Sequence, residues 1–256
     1  ALGDFDGDGD LDLAVPRNHP LQGDPNEGAT DRVFRREDGG WTLAEELTPA
    51  GEPGFSLVAA WTDFDRDGDV DLLVLSDLGH TIGPPTALYR NDGGSFVNVA
   101  AEVGAALAIS GMGVDAADLN GDGLLDYCMT DVGPIKCLLS SGEGFVQGAT
   151  ELGLQVPPGT DLWSGWSADL VDLDHDGRLD FVAAAAPPAD TTPDLDVQPD
   201  GVWRGVEGGF EEVGSTLGMD DRAYHWGLAT ADLDGDGFAE VILNGDSVRA
   251  WWNQCG

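Results

Sequence analysis

The sequence predicts an all-β protein, a β-propeller of about five four-stranded blades, read as a single domain over residues 1–256. Three observations predict it. The chain repeats itself about every 55 residues, the signature of a stacked or radial array. Short apolar runs separated by Gly-rich turns show no helical periodicity, as in propeller blades. Acidic residues recur at fixed places in each repeat, in a loop between the first and second strands.

Five segments align without gaps: DFDGDGDLD from Asp4, DFDRDGDVD from Asp63, DLNGDGLLD from Asp118, DLDHDGRLD from Asp172 and DLDGDGFAE from Asp232. An apolar stretch such as FSLVAAWT or WGLATA precedes the loop as first strand. The second strand follows as LDLAV, VDLLVL, LDYCM, LDFVA or AEVIL, and the third as RVFRR, ALYRN, IKCLL, GVWRG or VRAWWN. A Gly-rich turn then introduces Trp41, Phe96, Phe145 or Phe210 at the head of a fourth strand. The fifth repeat stops at Cys255-Gly256, where a fourth strand is due. Two arrangements fit: five blades with a three-stranded last one, or a segment of a longer array.

Lys and Arg number 11 against 48 Asp and Glu, a formal net charge of −37. Such a polyanion repels nucleic acid and anionic membrane surfaces, so neither is expected as a partner. Hydrophobic residues at 41% supply a core, which argues against disorder. No apolar run reaches the roughly 20 residues of a membrane span, and the start carries neither Met nor a signal-like segment.

The loops hold 21 of the 48 acids. Calcium takes six to eight oxygens in a flexible cage, and carboxylates crowded together raise one another's energy unless a cation neutralises them. Positions 1, 3, 5 and 9 of the nine-residue loop are the expected side-chain ligands, with the carbonyl of position 7. They are Asp4, Asp6, Asp8, Asp10 and Asp12; Asp63, Asp65, Asp67, Asp69 and Asp71; Asp118, Asn120, Asp122, Leu124 and Asp126; Asp172, Asp174, Asp176, Arg178 and Asp180; and Asp232, Asp234, Asp236, Phe238 and Glu240. The scatter at position 7 suits a backbone ligand. Position 6 is Gly throughout, where the chain must turn sharply. One such loop is as readily a solvated Asp-Gly turn; five in register point to about five structural Ca²⁺. An EF-hand needs Glu at position 12, whereas Val15, Val74, Met129, Ala183 and Leu243 stand there.

These loops, alternating with stretches such as ALYRNDGGSFVNVAAEVG and GMGVDAADLNGDGLLD, resemble the FG-GAP/VCBS repeats of integrin α-subunit propellers. The likeness is closer still to cartilage acidic protein-like proteins. It covers essentially the whole chain and implies a calcium-bearing propeller of the cell surface, periplasm or extracellular space.

Cys128 and Cys137 flank the Asp131–Pro134 turn on consecutive strands, directly opposite if the turn centres on Val132-Gly133. A cross-strand disulfide is expected, two buried thiols being the competing reading. Cys255 is left over, free or paired elsewhere. Calcium dependence and a disulfide both point away from the cytosol.

Connections after the second and fourth strands emerge opposite the loops. They include Pro16–Asp31, Ser76–Thr86 and Ala186–Asp200, and bring His19, His80, Trp163, Trp166, Tyr224, His225 and Trp226 to or near one face. That face is a candidate rim for a protein or carbohydrate ligand, although each residue alone reads more readily as core or ordinary loop. No G-x-S-x-G, H-E-x-x-H or phosphate-binding Gly-Lys pair occurs. A non-enzymatic adhesion or recognition module is therefore expected. A polysaccharide lyase or hydrolase, or a structural spacer, are the alternatives.

Overall fold

The structure is a computed structural model that describes residues 1–18, 28–37, 39–49, 51, 54–160, 163–187, 198–220 and 222–253. The chain is all-β, with five antiparallel sheets laid down in sequence order. The first holds β1 (Leu2–Gly3), β2 (Asp12–Val15), β3 (Asp31–Glu37) and β4 (Gly40–Leu47). The second holds β5 (Ser56–Thr62), β6 (Asp71–Ser76), β7 (Ala87–Asn91) and β8 (Phe96–Asn98). The third holds β9 (Val114–Ala117), β10 (Asp126–Met129), β11 (Lys136–Ser140) and β12 (Phe145–Gln147). The fourth holds β13 (Gly165–Val171), β14 (Asp180–Ala185), β15 (Gly201–Val206) and β16 (Gly209–Glu212). The fifth has three strands, β17 (His225–Ala231), β18 (Glu240–Gly245) and β19 (Val248–Trp251).

Each sheet is a meander, its strands paired in chain order, so short Gly-rich turns suffice to connect them. Burial follows strand rank. Every residue of β6, β10 and β14 is buried, which explains why these second strands read as unbroken apolar runs rather than alternating ones. The fourth strands lie largely open, with only Phe96 buried in β8 and only Phe145 in β12. Two single helical turns, α1 (Ala100–Val103) and α2 (Gly214–Leu217), follow the fourth strands of the second and fourth sheets, each closed by a left-handed Gly.

The chain divides into two compact units, residues 1–112 with 140–146, and residues 113–139 with 147–256. In the first, Phe5, Val33, Leu72, Val74, Tyr89 and Phe96 form one core cluster. In the second, one cluster gathers Cys128, Trp163, Phe181 and Trp203, and another gathers Val182, Val202, Met219 and Leu243. Cys128 and Cys137 face each other in the β10–β11 register and are joined as a disulfide. His19 and Cys255 lie outside the described residues.

Candidate metal centres

All five acidic loops connect the first strand of a sheet to its second. Their backbone is shaped by their own side chains. In the fourth loop, Asp172 accepts the N–H of Asp176 at 3.1 Å and of Gly177 at 3.0 Å. Asp174 accepts the Asp176 N–H, and Asp176 that of Arg178 at 2.9 Å. The position-5 bond recurs in every loop, at Asp8, Asp67, Asp122 and Asp236. Such Asx turns bend the chain tightly enough to bring alternate carboxylates together.

Position 6 is left-handed throughout, with φ between 82° and 98° at Gly9, Gly68, Gly123, Gly177 and Gly237. Position 4 is left-handed too. Gly7, Gly121 and Gly235 hold it at φ 72–79°, but Arg66 and His175 adopt φ 59° and 57° there. This second demand is masked in the sequence by those two residues. His175 also stacks on the position-7 ring of Phe238, 4.2 Å between centroids.

Position 9 does more than face the loop. Asp12, Asp71, Asp126, Asp180 and Glu240 are all buried. One oxygen of each accepts the N–H of position 2, at 2.7–3.1 Å, from Phe5, Phe64, Leu119, Leu173 and Leu233. The other oxygen of Asp12, Asp71 and Asp180 accepts a third-strand N–H, from Arg36, Asn91 and Gly205. The carboxylate thus braces loop and sheet together. Burial pushes the Asp12 and Asp180 carboxyls up, and that of Asp71 to about 6, with the neighbouring loop carboxylates acting in the same direction.

Four loops bring three carboxylates into reach of one ion, with candidate ligand oxygens within 4.8 Å of one another. These are Asp4, Asp6 and Asp8; Asp63, Asp65 and Asp71; Asp172, Asp174 and Asp180; and Asp232, Asp234 and Glu240. The third loop keeps the same turn, Asn120 Oδ1 accepting the Asp122 N–H at 2.9 Å, but an amide replaces one carboxylate. Two buried oxygens in these clusters, Asp63 Oδ1 and Glu240 Oε1, have no hydrogen-bond partner among the described residues. A buried acceptor without a donor is costly, and a hard cation satisfies it. The donor sets therefore fit an oxygen-liganded metal. Resident cations compete at two loops: Arg35 Nε sits 2.6 Å from Asp6, and Arg178 pairs with Asp176.

The position-7 acids Asp10 and Asp69 lie exposed and outside these clusters. A feature the sequence reading passed over lies three residues before the third and fourth loops. Asp115 and Asp169 interact there, burial and the Asp169 carboxylate holding Asp115 above the usual range. Their equal offset from the repeat is the signal that reveals them.

The candidate rim residues are dispersed. Trp163 is 1% exposed, packed edge-on against Trp203 with its indole N–H on the Pro199 carbonyl. Trp166 is half-buried and donates to the Ala186 carbonyl. His225 is fully buried, its Nδ1 2.7 Å from Asp200 Oδ2 and its Nε2 unpartnered among the described residues. Only Trp226, 44% exposed and stacked on Tyr224, offers an open aromatic face, at the end of β17 away from its acidic loop. His80 is exposed.

A family model described as an FG-GAP-like repeat matches residues 4–74 and 63–129, each match beginning on the first Asp of a loop. The first half of the chain carries FG-GAP-like repeats. No curated protein matches the chain. Among solved structures, the chain is similar to an Agrocybe aegerita lectin described as recognising non-reducing terminal N-acetylglucosamine, at 20% identity and TM-score 0.47. That likeness covers 98% of this chain but only 65% of the lectin chain. It is also similar to BBS1N in complex with ARL6 (11% identity, TM-score 0.46, 98% of this chain and 77% of that one). The N-terminal domain of Nup159 matches at 12% identity and TM-score 0.42, over 88% of this chain and 58% of that one.

Proposed function

We propose that the chain is a calcium-stabilised β-propeller of five blades, serving as a non-enzymatic recognition module outside the cytosol. The observation that carries the metal reading is the convergence of three carboxylates in four loops at one place in the repeat. The orphaned buried oxygens of Asp63 and Glu240 support it. Positions 1, 3 and 9 would hold the ion, with Asp8 standing in for position 9 in the first loop; the ion would supply charge neutralisation and loop rigidity. The meandering sheets and Gly-turned repeats support the propeller. The disulfide supports an oxidising compartment, and among the described residues no helix is long and apolar enough to cross a membrane.

At about 1 mM Ca²⁺ and a Kd of about 0.1 mM, each site adds about 1.4 kcal/mol, and five add about 7 kcal/mol. That rivals the whole stability of a typical domain. Thermal melts in Ca²⁺ and in EDTA test it: a large fall in Tm on chelation is expected, and equal melting points would sink the metal reading. A protein or carbohydrate ligand is proposed for the end of the fifth sheet away from its loop, where the exposed Trp226 of β17 stacks on the half-buried Tyr224. A glycan array probed with Ca²⁺ and with EDTA checks this. Binding without turnover is expected; depolymerised product would reassign the chain as an enzyme.

A further inference from the structure

The first residue after each acidic loop, position 10 of the repeat, pairs with a residue of the third strand. Leu13, Leu72, Tyr127, Phe181 and Val241 pair in this way with Phe34, Tyr89, Leu138, Trp203 and Trp251. The residues that follow those partners are Arg35, Arg90, Leu139, Arg204 and Trp252. Three of the five are arginine, in a chain with only 11 Lys and Arg. The one leucine belongs to the repeat whose loop carries Asn120 in place of an Asp at position 3. Guanidinium at this register and carboxylate at position 3 thus occur together in the first, second and fourth repeats.

The three arginines hold different partners. Arg90 forks onto Asp92, two residues on, with Nε–Oδ1 at 2.8 Å and Nη2–Oδ2 at 3.0 Å. Arg204 lies 3.9 Å from Glu211 of the neighbouring β16. The acid two residues on from Arg35 is Glu37, whose carboxylate accepts the Thr42 hydroxyl at 2.9 Å. Arg35 reaches the loop instead, Nε 2.6 Å from Asp6 Oδ2 and the guanidinium 5.5 Å over the Phe5 ring. Asp6 is one of the three clustered carboxylates of the first loop, whereas the Asp176 that Arg178 holds lies outside the cluster of the fourth. The Arg35 contact is an ion pair without a hydrogen bond, since the buried Nε makes none among the described residues. A buried N–H without an acceptor is costly, so the hold is a loose one.

We propose that Arg35 sets the calcium affinity of the first loop, acting as a resident counter-ion that yields Asp6 to the metal, so that the first loop fills at higher calcium than the second. The inference rests on the calcium reading. One oxygen of Asp6 cannot sit in contact with a guanidinium and a divalent cation together, and the two cations repel. The Asp6 side chain is 15% exposed, so water screens the competition poorly. Arg35, with 41% of its side chain exposed, has solvent to swing into. The second loop has no such rival: its Arg90 is tied to Asp92, and its buried Asp63 Oδ1 lacks a donor among the described residues.

The test is a calcium chloride titration of the 1–256 chain, followed by NMR at the amides of Gly9 and Gly68, position 6 of the first and second loops. In the wild type the Gly9 midpoint is expected at higher calcium than that of Gly68. Arg35→Met should lower the Gly9 midpoint at least about fivefold, roughly 1 kcal/mol, and leave Gly68 in place. The expected change is tighter binding, which a variant with a damaged loop would not produce. Arg90→Met removes the same charge from the same register of the second sheet, and should move the Gly68 midpoint less than about twofold. A Gly9 midpoint that stays or rises in Arg35→Met overturns the inference while a calcium response at Gly68 upholds the metal reading. An equal shift of Gly68 in Arg90→Met also overturns it, by assigning the effect to the general field of the arginines. If neither glycine responds to calcium, the metal reading falls and this inference with it.

Discussion

Asp71 has two duties, accepting the N–H of Phe64 in the loop and of Asn91 in the third strand. Asp71→Ala takes the acceptor from both, the Asn91 amide buried and the Phe64 amide half-buried, and is expected to cost about 2–5 kcal/mol even in EDTA, read by urea denaturation. The two left-handed positions of the loop give opposite expectations. A Cβ at Gly68 meets nothing within 4 Å, so the penalty of Gly68→Ala is backbone strain alone, about 1–2 kcal/mol. Arg66 already bears that strain at φ 59°. Arg66→Gly relieves it, less the extra chain entropy of glycine, for a net gain of about 0.5–1 kcal/mol by the same denaturation series.

Among the elements, the loops and their flanking strands were legible because the information is local: ligands, turn residues and the second strand lie within about fifteen residues. The cysteine pairing was legible for the same reason, its turn lying inside the separation of 9 residues. What escaped depends on register between distant strands. The third-strand contacts of position 9 lie 20–25 residues away. The burial of Trp163 and His225 follows from the Pro199 carbonyl and Asp200, 36 and 25 residues off. The one-turn helices carry too few residues for a period to show. On the β10–β11 pair, closing a loop of this size corresponds to about 2.5 kcal/mol of denatured-state entropy. Replacing both Cys128 and Cys137 by Ala should lower stability by about that amount, measured against the wild type under non-reducing conditions.

For the whole molecule, the acidity that dominates the composition has a pH signature. Burial raises Asp31, and likewise Asp71, from 3.8 to about 6. Between those values the folded chain binds more protons than the unfolded one, so this contribution is fully present below about pH 4. It is lost as pH rises through about 6. In EDTA, Tm is expected to fall across that window. Asp31 accepts the Arg17 N–H and the Ser56 hydroxyl, and an amide can take up both partners. Asp31→Asn should therefore flatten part of the slope while keeping the fold, as a paired melt of variant and wild type would show.

The shared oxygens of position 9 also bear on how the protein breathes. When a loop loosens, the amide of Arg36, Asn91 or Gly205 loses its acceptor, although each belongs to a strand remote in sequence. Deuterium uptake at those three amides should therefore report loop opening, rising on chelation in step with uptake at Phe5, Phe64 and Leu173. A cation gripping the loop would slow isotope exchange in a strand it never touches.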